Sequence, residues 1–95
     1  MAIPTNITRE HVFRAMIRII KKGAPPKRNM REWALEYEGD LYPVKLLISW
    51  ANVFPNKVEL PFYASVFTTT MGQKYLIKLG FTIVKIQKLK NNMSI

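Results

Sequence analysis

Tyr42-Pro43-Val44-Lys45-Leu46-Leu47-Ile48-Ser49-Trp50-Ala51-Asn52-Val53-Phe54 is the stretch from which the architecture follows. Pro43 suits the first position of a helix, where its missing N–H costs nothing. From Val44 to Phe54 the apolar residues fall on more than one side of that helix. A helix without a polar face is covered by neighbours on several sides, so it sits centrally and the rest of the chain wraps it. Pro55-Asn56-Lys57 ends it.

Upstream, Trp33-Ala34-Leu35-Glu36-Tyr37 alternates large apolar with small or polar residues, as a half-buried strand does. Glu38-Gly39-Asp40 reads as a tight turn, and Leu41-Tyr42 as a short return strand. The first helix spans roughly 8 to 22, with Thr8 as N-cap and Glu10 favoured in the first turn by the dipole. Ile7 staples onto Val12. Val12, Met16 and Ile19 form one apolar stripe, and Phe13, Ile17 and Ile20 form another beside it. Lys21 and Lys22 suit its C-terminal end, Gly23 stops it, and Ala24-Pro25-Pro26 forbids continuation.

Downstream, residues 58 to 62 read as extended chain or loop, and 63 to 67 as a short helical turn. Thr69 or Thr70 caps a last helix through Leu79, with Met71, Tyr75, Leu76 and Leu79 inward and Gly80 closing it in the left-handed region. Phe81 to Ile86 is the final strand, and Gln87 to Ile95 a frayed tail. The expected fold is α+β: a single small domain over residues 1–95, with three main helices on a two- to three-stranded sheet.

At 95 residues, 48% apolar and 22% charged, the chain has the composition of a folded domain with one modest core. It has no cysteine, which excludes thiol chemistry and thiolate metal sites. His11 is the only histidine and Asp40 the only aspartate. A histidine in the first turn is ordinarily a surface or cap-side residue. Glu36, Glu38 and Asp40 are the only acidic cluster, and solvated turn acids explain them. Gly23, Gly39, Gly72 and Gly80 lack the spacing of a phosphate cradle. The chain is therefore expected to be non-catalytic, without cofactor or metal. No apolar run approaches the ~20 residues of a membrane span, and the first six residues do not resemble a signal peptide. The expectation is a cytoplasmic protein without a membrane partner.

Charge is more informative. Fifteen Lys and Arg against six Asp and Glu give +9, a field that attracts polyanions. Five of the six acids lie between Glu10 and Asp40, and from Leu60 onward there are five lysines and no acid. Lys21, Lys22, Lys27, Arg28 and Arg31 cluster around a proline-stiffened loop suited to phosphate contacts. Lys74 and Lys78, spaced i, i+4, share a helix face as a second track. Solvated helix ends and ordinary solubility are the plain explanations of both sets. Of the aromatics, only Tyr42 and Tyr63 are candidates for surface contact.

From the first helix to residue 84, a further pattern combines Pro25-Pro26-Lys27-Arg28, Tyr42-Pro43-Val44-Lys45, Ala51, Phe67 and the closing Leu76-x-x-Leu79-Gly80-Phe81. It resembles the amino-terminal head domain of HNH-type modification-dependent restriction endonucleases. Thr68-Thr69-Thr70 stands where that family has a Gly-rich step. The resemblance implies a DNA-associated module without cutting machinery, alone or in a larger restriction assembly. Lys45 lies in the first turn of the central helix, where the dipole disfavours a cation, beside N–H groups suited to a phosphate. A cation that breaks a local rule is a functional candidate. Its plain alternative is to lie over Tyr42 or Trp33.

The leading expectation is a duplex DNA-binding module using Lys22, Lys27, Arg28, Arg31, Tyr42, Lys45, Lys74 and Lys78, reading backbone and shape. The rival is a basic interaction subunit or homodimer that meets an acidic partner. RNA binding is third, and would require exposed stacking aromatics.

Overall fold

The computed structural model describes residues 3–23, 32–61 and 66–86. Helix α1 spans Arg9–Lys22, with Thr8 as its N-cap. The His11 amide donates to Thr8 Oγ1 at 3.4 Å, and the Thr8 amide donates to His11 Nδ1 at 2.9 Å. This is a capping box in which an imidazole takes the place of the usual Glu or Gln. Ile7 and Val12 flank the cap, and both are buried, as a staple requires. Gly23, at φ 78°, stops the helix and donates to the Ile19 carbonyl at 2.7 Å.

Strands β1 (Trp33–Tyr37) and β2 (Asp40–Pro43) form a hairpin in which Tyr37 faces Asp40. The two loop residues, Glu38 at φ 50° and Gly39 at φ 88°, both lie in the left-handed region, as the twist of a tight hairpin demands. Glu36 steadies the loop by accepting the Gly39 amide at 2.9 Å. Strand β3 (Thr82–Lys85) pairs antiparallel with the other edge of β1, giving the order β2-β1-β3. Leu35 is flanked by Tyr42 and Ile83, so these three share the face that meets the helices. The expected strand from Phe81 to Ile86 is shorter than its sequence pattern, because Phe81 turns into the core. Ile86 still donates to the Glu32 carbonyl at 2.7 Å. The expected tail, residues 87–95, lies outside the described residues.

Strand β2 runs directly into helix α2 (Val44–Ala51), with Pro43 as its N-cap rather than its first helical residue. Every residue of α2 except Lys45 is buried, and the helix packs against α1, against the sheet and against helix α4 (Thr69–Lys78). The expected helix to Phe54 breaks earlier. Pro55 has no N–H for the Ala51 carbonyl, so the regular ladder ends at Ala51, four residues upstream. A single turn, α3 (Val53–Asn56), follows. Asn52, buried at the break, donates to the Val58 carbonyl at 2.9 Å and accepts from Asn56 at 2.6 Å. Asn56 in turn exchanges hydrogen bonds with Asn6.

Thr68, one residue before the expected cap, begins α4 and accepts the Met71 amide at 3.2 Å. At the far end Phe81 donates to the Leu76 carbonyl at 3.0 Å and Gly80 to that of Ile77 at 2.9 Å, the two bonds of a Schellman motif. Phe81 and Leu76, both buried, supply its apolar contact. The architecture is thus α+β, with three main helices over a three-stranded antiparallel sheet.

Two substitutions at the α2 surface test this packing in opposite directions. Ser49 Oγ is buried without a hydrogen-bond partner among the described residues, so Ser49→Ala should stabilise the fold by about 1 kcal/mol in urea unfolding. A Cβ on Gly72 would lie 2.9 Å from Val44 Cγ1, a short, stiff side chain. Gly72→Ala should therefore cost about 1–3 kcal/mol despite its better helix propensity.

Candidate functional site

The fold separates the two signs of charge. Glu32, Glu36, Glu38 and Asp40 lie on the β1–β2 hairpin and its approach. The remaining acids, Glu10 and Glu59, stand beside arginines of α1, pairing with Arg14 at 3.1 Å and Arg18 at 3.4 Å. The helices present cations. Lys21 and Lys22 are exposed at the end of α1, where they complement the helix dipole, and neither makes an ion pair among the described residues. Lys74 and Lys78 are exposed on one stripe of α4 with Thr70. Lys27, Arg28, Arg31 and Tyr63 lie outside the described residues.

These cations form two separate tracks. Arg9, in the first turn of α1, donates to the Leu79 carbonyl at 2.7 Å, which ties the end of α4 to the start of α1. Lys78 is adjacent in sequence to that joint, whereas Lys22 lies about 20 Å farther along α1 at 1.5 Å per residue.

Lys45 is half-buried with Nζ 4.7 Å from the ring centroid of Phe67, a fully buried residue. Among the described residues its aromatic neighbour is therefore Phe67 and neither Tyr42 nor Trp33, and Trp33 instead meets Lys85 Nζ at 5.8 Å. At the start of α2, Pro43, Val44 and Leu46 are buried, and no side chain caps the helix.

Tyr42 also departs from expectation. It is only 5% exposed and belongs to the core cluster, so its ring offers no stacking surface. Strand alternation is the cause: pairing opposite Leu35 turns Tyr42 toward the helices and leaves Leu41 outside. Burial, and then the carboxylates of Asp40 and Glu38, push its phenol above the ordinary value of 10.0.

Of the two adjacent apolar stripes that the sequence gives α1, one is buried, and only Phe13 of the other packs against the core. Val12, Ala15, Met16 and Ile19 face the core, while Ile17 is 52% and Ile20 67% exposed. The outer face that results was missed: Arg14, Ile17, Arg18 and Lys21 at spacing i, i+3, i+4 and i+7. With Lys22 and Phe54 they line a shallow groove of about 460 Å³. Arg18 lies 4.2 Å over the Trp50 ring and Arg14 5.7 Å over that of Phe54, and the His11 ring stacks on that of Phe54 at 6.4 Å between centroids. The spacing itself was the available signal. Among the described residues, no three of His, Cys, Asp and Glu are grouped to hold a metal.

Lys45→Ala removes the contact with Phe67, worth about 0.5–2 kcal/mol, and relieves an unfavourable dipole interaction of about 0.3–1 kcal/mol. These two terms oppose one another and together place the change in thermal or urea unfolding between a gain of about 0.5 and a loss of about 1.7 kcal/mol. Comparisons with models of known families, with curated proteins and with solved structures return no match to this chain.

Proposed function

We propose that this chain is a small non-catalytic module that binds duplex DNA through its phosphate backbone. The observation that carries the reading is the segregation of charge: acids gather at the hairpin, while exposed lysines occupy the end of α1 and the outer stripe of α4. A protein of formal charge +9 arranged this way presents cationic helix faces to a polyanion, with four of its six acids at the hairpin and its approach and the other two paired with arginines of α1. Lys22, Lys74 and Lys78 are the described contacts, and Lys27, Arg28 and Arg31 extend the first track in sequence. Lys45 adds a further half-buried charge, with its ammonium held over Phe67.

Of the two aromatics considered for stacking, Tyr42 is in the core and Tyr63 lies outside the described residues, so the described surface favours duplex DNA over single strands and RNA. The resemblance to head domains of restriction endonucleases also supports DNA, in a restriction setting, with the cutting performed by another domain or protein. No described helix is long and apolar enough to cross a membrane.

Titration of labelled duplex DNA, single strand, duplex RNA and heparin at several salt concentrations tests the reading. Contact with about four to six phosphates should give log K against log salt a slope near −4 to −5 on duplex DNA. Lys74→Ala and Lys78→Ala should each lower that slope by about one unit without sequence preference. Lys57→Asn, at an exposed left-handed position that asparagine tolerates, removes one charge away from both tracks and should change it less. A flat salt response, or equal losses from all three variants, overturns the proposed surface.

A further inference from the structure

The groove along α1 has a composition that phosphate binding does not explain. Ile17 and Phe54 contribute apolar surface to its lining, and Ile20 extends that surface on the flank of the helix. Around this apolar strip stand Arg14, Arg18, Lys21 and Lys22. A DNA backbone gains from the cations but gains little from exposed isoleucine. An apolar centre with a charged rim is the anatomy of a protein–protein interface, in which buried anchors supply affinity and the rim selects the partner.

We propose that this groove docks a short acidic amphipathic helix of a partner protein. Its apolar side would cover Ile17 and Phe54, and its flanking carboxylates would meet the four cations. Charge complementarity chooses this occupant. A second copy of the chain in a symmetric contact would bring the cationic rim against itself, whereas an acidic helix neutralises it. The two arginines are already oriented, Arg18 over Trp50 and Arg14 over Phe54, so docking immobilises them at reduced entropic cost. Their present partners are replaceable. The Arg14–Glu10 pair is solvent-exposed and the Arg18–Glu59 pair only partly covered, and such pairs contribute about 0–1 kcal/mol. Partner carboxylates can therefore exchange with Glu10 and Glu59 at little loss.

The test uses the full chain and a fluorescent peptide of about 15 residues, with leucines at helical i, i+3, i+4, i+7 spacing and glutamates elsewhere. Two companion peptides replace the leucines by serine or the glutamates by lysine. Fluorescence anisotropy should show the wild-type chain binding the acidic amphipathic peptide with Kd of about 10–100 μM, and both companions at least about tenfold more weakly. Ile17→Ser and Lys21→Glu change exposed side chains, so both variants should stay folded, Lys21→Glu with a slightly lower Tm because an acid opposes the dipole at that helix end, while losing at least about tenfold in affinity. Lys21→Glu should in addition improve binding of the lysine peptide. Lys74→Ala and Lys78→Ala should leave peptide binding unchanged, so this proposal and the DNA reading fail separately. The docking proposal is overturned if the leucine and serine peptides bind alike, or if Ile17→Ser leaves peptide affinity intact. It is overturned equally if Ile17→Ser weakens duplex DNA as much as it weakens peptide, which assigns the groove to nucleic acid.

Discussion

Seven of the eight residues of α2 are withdrawn from water, and the remainder of the molecule is arranged to cover them. A helix of this kind gains little on its own, since eight residues are too few to be stable in water. It persists because α1 lies along one side, α4 along another and the sheet beneath. The close approach of α4 depends on Gly72, whose missing side chain leaves room for Val44. The entry of α2 depends on Pro43, which ends an edge strand and caps the helix without any loop between them. Strand, cap and helix therefore form one continuous unit, and the placement of every other element follows from it.

The arginines divide by the work they do within the fold. Arg9 is a structural clasp: its guanidinium lies 4.4 Å over the Phe81 ring and donates to a carbonyl at the end of α4, where a cation complements the dipole. Tyr75 reinforces the same joint by donating to the Ile7 carbonyl at 2.8 Å. Arg14 and Arg18 occupy the opposite situation, lying on aromatic rings yet paired only with acids at or near the surface. A side chain in that state is ordered without being consumed, which suits recognition. Lys45 stands between the two cases, half-buried over Phe67 in the one position of α2 that reaches outward.

Polarity is distributed with the same economy. Asn52 and Asn56 satisfy each other at the break between α2 and α3 and hold the N-terminal segment through Asn6. The acids that do not pair with α1 sit around the hairpin, where Glu36 fixes its turn. The helix faces are thereby left cationic, and the two lysine tracks and the α1 groove arise from this division of charge.

The sequence by itself determined the pieces whose causes are local. Thr8 and Gly23 bound α1, Gly80 closes α4, and Glu38-Gly39 turns the hairpin, because a cap or turn depends on residues a few positions apart. The central burial of α2 was legible from the absence of a polar face. Only tertiary structure decided which apolar residues of α1 would be covered: Ile17 and Ile20 have the same residue type as Ile19, but only Ile19 lies on the face that meets the core. It also decided that Tyr42 points inward, since one residue of register separates it from the exposed Leu41. The partners of Lys45, Arg9 and Arg18 were illegible for the same physical reason. Phe67, Phe81 and Trp50 lie 22, 72 and 32 residues away along the chain, and only packing brings those rings to the cations.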